Sequence, residues 1–439
     1  MIRDTHLQPN DKKIISNFLR GRTGQVKQYN HLSKPYRLYN GVPQGAILSP
    51  SLFNTFTHDL PQPLAPTKIS CYADDLSIIS QAPKTSQAKQ HIQNYITLIE
   101  QWLTNNRMSA SPQKSSITLF TPDRRESNKH PIVNLYNTII PLNKTPTILG
   151  VTLDTHMTFT PHINNITAKA THKLNVLKTL TNTNFGQQKE TMNIVYKQFL
   201  RSIINYASPD WFPTLAKQNK DKLITIQNKA LRIVTGCLKT TLAHHLEAET
   251  QILPIITHMD MIGTQFYSKT RSPTHPLHQT LTPLPTPRTK KTTPSDYYSN
   301  LYNNIPPPPP NRSTIQHIHT HFVQNHLAHR PPNSILGYPP PSISEEEKTL
   351  NRKTRTFLAR LRSGHHTCLN SYNHRFNLAL FPICDRCTSN QVDNIAHFLF
   401  QCPTLAGARL SFPLTLTEDL WTDPIRVSSF LRAARLLEV

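Results

Sequence analysis

Apolar residues recur at helical spacing over several long stretches of this chain and at strand spacing over a few short ones. In residues 85–103, Ala88, Ile92, Tyr95, Ile99 and Trp102 fall on one side of a helix and polar residues on the other. Three more stripes follow between 161 and 236: Ile163, Ile166, Ala170, Leu174 and Leu177; Met192, Val195, Phe199 and Ile203; Leu223, Ile226, Ala230 and Ile233. Stripes of this kind face a core, so the region reads as packed helices, with Gly186 ending the first. Ile14, Ile15, Phe18 and Leu19 predict a shorter helix near the start. Residues 345–363 predict another, with Glu345, Glu346 and Glu347 in the first turn, where the helix dipole favours carboxylates. Residues 428–437, with Phe430, Leu431, Ala434 and Leu437, close the C-terminal region. Apolar runs on either side of 73–75 read as the arms of a β-hairpin, and 117–120 and 148–153 as further strands. A helix lying between strands of one sheet predicts an α+β fold.

Proline interrupts this pattern. Eleven prolines lie between Pro273 and Pro310, five of them consecutive at Pro306–Pro310. Proline fixes φ and removes a donor, so the tract predicts a semi-rigid linker with no packed element. A docking site for proline-binding domains is the other reading. The chain has 439 residues, enough for two or three domains with a real core. Its formal net charge of +23 is spread out: residues 1–40 hold eight Lys/Arg against two Asp, and 155–245 hold twelve against three acids. That excess points to a polyanionic partner met through phosphate contacts rather than base readout. A basic surface kept for solubility is the plainer alternative, although acids serve that purpose better. The helical stripes carry Lys169, Lys173, Lys178, Lys197, Arg201, Lys222, Lys229 and Arg232 on their polar faces, either as a grip on a duplex backbone or as a solvated face. The six cysteines are unevenly placed and no apolar N-terminal leader is present, which argues against a disulfide framework and secretion and for an intracellular, nuclear or cytoplasmic setting. No run of about 18 apolar residues predicts a transmembrane segment, so no membrane partner is expected.

Tyr72-Ala73-Asp74-Asp75 is the densest chemical signal. Two carboxylates at one hairpin tip repel unless a cation lies between them, and paired divalent metals serve phosphoryl or nucleotidyl transfer. A solvated Asp-Asp turn is the bland alternative. Upstream lie Gly41-Val42-Pro43-Gln44-Gly45-Ala46-Ile47-Leu48-Ser49-Pro50 and Ser51-Leu52-Phe53-Asn54. With Tyr72-Ala73-Asp74-Asp75 at that spacing, the chain closely resembles reverse transcriptases of non-LTR (LINE-type) retrotransposons. Trp102-Leu103 through Lys114-Ser115 resembles the family's lysine-bearing palm segment, and Leu149-Gly150-Val151-Thr152-Leu153-Asp154 its primer-grip turn. The resemblance spans most of the chain and weakens in the proline tract. Its palm motifs are specific, whereas the thumb signals are only compatible.

The resemblance implies a partial polymerase palm (antiparallel sheet with helices) over 1–155, a helical thumb-like region over 156–270, a proline-rich linker over 271–344 and a basic helix with a small zinc-knuckle domain over 345–439. It implies Asp74 and Asp75 as catalytic Mg²⁺ ligands, Asp74 doing most of the ligation because adjacent residues of an extended chain point to opposite faces. It implies template and nucleotide contacts at Pro43, Gln44, Gly45 and Tyr72: Gly45 admits close backbone approach, and Gln44 offers both donor and acceptor. Lys114 is either a charge that neutralises or protonates the pyrophosphate leaving group or an ordinary surface lysine. The implied partners are an RNA template, a DNA primer or target DNA and deoxynucleoside triphosphates; the oligomeric state stays open. The motif bearing the family's first catalytic aspartate is not found, since Asp4 and Asp11 are the only acids before it and neither sits in an apolar strand. The expectation is therefore an N-terminally truncated RNA-directed DNA polymerase, an incomplete copy with little or no activity alone. A non-catalytic RNA- or DNA-binding remnant is the alternative, and a scaffold built around the proline tract is a third.

Near the C-terminus, Cys384-x2-Cys387-x9-His397-x4-Cys402 has the spacing of one tetrahedral Zn²⁺ site. Four protein ligands leave no open position, so the site would be structural. Buried thiols are the alternative, and His365, His366, Cys368 and His374 form a rival set with poorer spacing. The resembled proteins carry a similar Cys-Cys-His-Cys element. Arg360, Arg362 and Arg386 beside it predict a module that holds single-stranded RNA or DNA, unless the zinc merely staples a small domain.

Overall fold

A computed structural model describes residues 8–437 apart from 124, 183–184 and 279–292, so Asp4 and the prolines at 283, 285 and 287 lie outside the described residues. The chain divides into two compact units, Met1–Pro146 and Thr147–Val439.

In the first unit, a helix over Pro9–Leu19 buries none of its residues. Small hairpins follow, pairing Thr23–Gly24 with Tyr36–Arg37 and Lys27–Gln28 with His31–Leu32. The helix Ser49–Phe56 leads to the hairpin Thr67–Tyr72 with Asp75–Ser80, and then to the helix Thr85–Asn105. The sequence stripe places Tyr95, Ile99 and Trp102 on the buried side of that last helix, together with Ile96. Ile92 and Ile96 meet Ile78 of the hairpin and Val133, Leu135 and Ile140 from the segment that follows. Tyr95 donates its hydroxyl to the Pro61 carbonyl at 2.7 Å, and Trp102 meets Phe56 edge-on at 6.5 Å. The helix thus backs one face of the hairpin.

The architecture mixes helices with small antiparallel sheets, each of two strands. The continuous palm sheet expected from the sequence is not formed among the described residues. Thr67–Tyr72 pairs with Asp75–Ser80 alone, and the strand expected at 117–120 shrinks to one parallel bridge between Ile117 and Leu142.

The second unit is helical. Ile163, Ile166, Ala170, Leu174 and Leu177 of the Thr160–Leu180 helix and Leu223, Ile226 and Ala230 of the Lys217–Thr235 helix enter one core, as their spacing predicts. The middle stripe is shifted. Met192 is buried, but the deepest residues after it are Tyr196, Leu200 and Ile204, while Val195, Phe199 and Ile203 pack at the rim. A π turn over Tyr196–Leu200 follows the Lys189–Val195 helix, and its extra residue moves the buried stripe on by one. The Thr160–Leu180 helix stops ahead of Gly186, which instead bridges back to Thr181.

The proline tract needs correction. The tract expected to hold no packed element contains a helix over Pro294–Asn303, and the linker expected over 271–344 also holds one over Thr314–Ala328; both pack against the helix Ile255–Thr270. Pro294 occupies the first helical turn, where its missing N–H costs nothing, behind a capping box made by Thr293 and Asp296. The second helix lies in a proline-free stretch.

The helix expected over 345–363 is two elements: a 3₁₀ turn, Glu345–Thr349, and a helix, Arg352–Arg362. Asn351 restarts it, its side chain accepting from the Thr354 amide at 2.9 Å. Basic residues of this segment are directed into the protein. Arg352 donates to the Asn182 carbonyl at 2.7 Å and to the Ile233 and Val234 carbonyls at 2.9 and 3.0 Å, and Arg360 to the Gly236 carbonyl at 2.9 Å. Two cations thereby satisfy carbonyls at the end of the Lys217–Thr235 helix, where the dipole is negative. Beneath them, Lys189 reaches Glu249 and Glu347, each at 2.9 Å, and Arg362 reaches Glu249 at 3.0 Å and also pairs with Glu347. Arg355 forks onto Glu190 at 2.5 and 2.9 Å. Opposite charges answer one another throughout this buried group, which joins the C-terminal segment to the helical core.

Candidate active site and metal centre

Tyr72 and Asp75 are the last cross-strand pair of the main hairpin, so Ala73 and Asp74 form a two-residue turn. Ala73 takes a φ of 50°, in the left-handed region that favours glycine. Asp74 sits at the apex and Asp75 opens the returning strand; both are exposed, as is Tyr72. Two carboxylates here offer up to about four oxygens to a divalent cation. Among the described residues, the groupings of three or more side chains able to hold a metal lie elsewhere, so Asp74 and Asp75 stand as a pair.

The loop before this hairpin is shaped locally. Gly41 and Gly45 adopt φ of 76° and 82° with open space where a side chain would lie, so backbone conformation alone sets the requirement for glycine. Pro43 accepts the Ser49 hydroxyl at 2.5 Å, which ties the loop to the start of the next helix, and Gln44 remains exposed between the two. Arg22 holds the other end, donating to the Leu19, Asn40 and Gly41 carbonyls at 3.0, 3.1 and 2.7 Å. Its anchoring role was not readable from its place in a basic run. Lys114 lies exposed in a turn after Ser111 and makes no ion pair with either aspartate.

Leu149 and Gly150 form a tight turn between Thr147–Ile148 and Val151–Thr152, both with positive φ, as hairpins with a right-handed twist require. This turn belongs to the second unit. Tyr206 donates to the Leu149 carbonyl at 2.6 Å, and the Thr152 amide donates to His162 at 3.2 Å. Asp154 accepts the Thr158 and Phe159 amides at 3.1 and 2.7 Å, shaping the entry to the Thr160–Leu180 helix.

The four residues chosen by spacing near the C-terminus meet. The ligand atoms of Cys384, Cys387, His397 and Cys402 all lie within 4.8 Å of one another. Cys384 Sγ is 4.0 Å from Cys402 Sγ, and Cys387 Sγ is 3.4 Å from His397 Nε2. His397 Nδ1 is 3.1 Å from Gln391 Oε1, an orienting partner that the spacing did not reveal. Burial pushes the Cys384 thiol up to about 12, while hydrogen bonds from Ser389 bring Cys387 down to about 6. This Cys/His cluster could hold a metal. The rival set is differently employed: His366 packs on Phe357 at 3.9 Å, and His365 lies beside Tyr372 and Phe376.

The arginines beside the cluster are not the free cations that the sequence suggested. Arg362 is buried among carboxylates, Arg360 caps a helix, and Arg386 pairs with the buried Asp393 and donates to the Cys368 carbonyl at 2.7 Å. A cation surrounded by such partners is spent on structure and cannot also hold phosphates.

The family model for reverse transcriptase (RNA-dependent DNA polymerase) matches residues 3–153. In Drosophila melanogaster, the probable RNA-directed DNA polymerase from transposon BS is 29% identical over 231 residues, which cover 51% of this chain and 25% of that protein. The corresponding protein from transposon X-element is 28% identical over 246 residues, 54% of this chain and 26% of its own length. The RNA-directed DNA polymerase from mobile element jockey of Drosophila funebris is 23% identical over 277 residues, 62% of this chain and 30% of that protein. The chain spans about a quarter of the length of the first two relatives. No described helix is long and apolar enough to cross a membrane. Residues 3–153 thus match the reverse transcriptase family model, and the chain is similar to RNA-directed DNA polymerases of Drosophila transposons.

Proposed function

We propose that this chain supplies part of an RNA-directed DNA polymerase, with Asp74 and Asp75 as its catalytic metal ligands. The observation that carries this reading is the pair of exposed carboxylates at the apex of a tight hairpin inside the matched segment. A divalent cation bound there would screen the charge of a transferring phosphate and favour ionisation of a primer hydroxyl. The chain's own residues would do the rest. Asp74, free of strand pairing at the apex, would hold the cation, with Asp75 in support. Gly45 and Pro43 bring backbone close to a template or nucleotide, Gln44 hydrogen-bonds it, and Tyr72 lies alongside. Lys114 would meet the leaving pyrophosphate after a movement that brings it toward the tip. The substrates are an RNA template, a DNA primer or target DNA, and deoxynucleoside triphosphates.

Among the described residues two carboxylates stand at the tip, fewer than a full metal pair takes, and we infer little or no activity from this chain alone. The same observation favours the second reading, a nucleic-acid-binding part without catalysis. Cys384, Cys387, His397 and Cys402 fit one Zn²⁺ in a closed, structural site: three sulfurs, one nitrogen and a hydrogen-bonded imidazole are a suitable donor set. Primer extension on an RNA template with Mg²⁺, beside D74A/D75A, tests the catalytic reading. Extension that the double variant loses supports polymerase activity and overturns the inference of inactivity. No extension, with RNA still bound, leaves the binding role.

A further inference from the structure

The consecutive prolines Pro306–Pro310 join no helix or strand, and every one of them is exposed. Their neighbours are fixed. Before them, the Pro294–Asn303 helix buries Tyr298, and its Tyr297 hydroxyl donates to Asp260 Oδ1 at 2.8 Å. After them, the Thr314–Ala328 helix buries Ile318, and its Ile315 carbonyl accepts from Gln265 Nε2 at 3.1 Å. Asp260 and Gln265 both belong to the Ile255–Thr270 helix, so residues 304–313 join two helices that lie on a common third. Here the prolines do not space two domains apart. Connections between packed helices commonly take about 2–8 residues; this one is longer and stiffened at its centre.

Successive prolines lack backbone donors and hold φ near about −65°, the backbone of a left-handed polyproline helix. The acceptors at the centre of the tract stay free: among the described residues no hydrogen bond reaches the carbonyls of Pro307, Pro308 and Pro310. The ends are tied. His317 Nε2 donates to the Pro306 carbonyl at 2.8 Å, and the Arg312 amide donates to the Pro309 carbonyl at 3.3 Å. Asn311 makes that turn with a φ of 70°. The turn sets Arg312 beside the last prolines, exposed and, among the described residues, without an ion pair. A polyproline helix repeats every three residues and rises about 3.1 Å for each, so Pro307 and Pro310 share one edge about 9 Å apart. A ridge already held in its bound shape loses little conformational entropy when a partner closes on it.

We propose that Pro306–Pro310 and Arg312 form a docking surface for a protein domain whose groove is lined by aromatic rings and ends in carboxylates. The rings take the edge of Pro307 and Pro310, their hydroxyl or indole N–H groups donate to the free carbonyls, and the acidic end pairs with Arg312. Charge favours the same partner, since a chain of formal net charge +23 attracts acidic surfaces. Pro307-x2-Pro310 has the spacing that SH3-type grooves read.

The test titrates the full-length chain with a panel of purified SH3 domains whose grooves end in acidic residues, read by isothermal calorimetry. P307A/P310A removes the edge, R312Q removes the cation, and K348Q, exposed in the Glu345–Thr349 turn, repeats that loss of charge elsewhere. All four positions are exposed, so melting temperatures should match the parent's and a change in binding reports on the surface. At least one domain is expected to bind the parent and K348Q alike, P307A/P310A about tenfold more weakly and R312Q severalfold more weakly. Unchanged affinity for P307A/P310A overturns the docking surface, and so does a panel in which no member binds the parent. Binding lost in P307A/P310A but equal to the parent's in R312Q overturns the acidic end of the groove.

Discussion

Single residues in this chain are set by their partners more than by their own type. Glu347 shows this best. Burial alone would raise its carboxyl above the ordinary value of 4.5, yet Arg362 and Lys189 hold it down at about 2. A group whose folded value lies below its unfolded one stabilises the fold above the unfolded value and loses that contribution as pH falls toward the folded one. Stability of the second unit should therefore decline between about pH 4.5 and pH 2, and E347Q should flatten that decline in denaturant titrations. The same variant leaves Arg362 and Lys189 short of a counter-charge and should cost about 3–5 kcal/mol near neutral pH. Of these residues, the sequence exposes the acids of 345–347 as helix-start chemistry but not the burial of Glu347, because its partner Lys189 lies far away along the chain. The Cys/His cluster was legible for the opposite reason: its ligands are close in sequence, and metal chemistry fixes their spacing.

Elements follow their apolar stripes wherever backbone geometry is regular. The stripe from Ile163 to Leu177 packs as read, while the one that starts at Met192 moves on by one residue where the π turn intervenes. No periodicity argument contains that extra residue. The helix inside the proline tract was missed because composition was weighed over the whole stretch, when Pro294 at a first turn starts a helix rather than breaking one. Gly263 is where it touches the core: a Cβ there would overlap the ring of Tyr298. G263A should push the Pro294–Asn303 helix away and destabilise the second unit by about 1–3 kcal/mol despite alanine's better helix propensity. Faster hydrogen exchange confined to 294–303 and to the Ile255–Thr270 helix would check it. Equal exchange in the variant and the parent would contradict the packing account.

At the scale of the whole molecule, the reverse-transcriptase motifs were readable because they are short, local and chemically specific, and the family match confirms the resemblance they carry. The extent of the sheet around Asp74 and Asp75 was not, since strand pairing depends on segments distant in sequence. The compact units part at Pro146, and the Leu149–Gly150 turn is held by Tyr206 and His162 of the helical region. The buried charges joining Lys189, Glu249, Glu347 and Arg362 carry a thermodynamic consequence. Regions that share such contacts cannot melt independently, so 147–437 should unfold in one cooperative transition, and calorimetry of the full chain should show two heat peaks and not three. Any ion bound by the Cys384 cluster then stabilises the distant Thr160–Leu180 helix by linkage, without touching it. Chelation, or C384S, should lower the melting temperature of that whole transition and leave the other peak in place. Were the cluster to bind a metal, these few ion pairs would make its availability a control on how far the helical region stays folded.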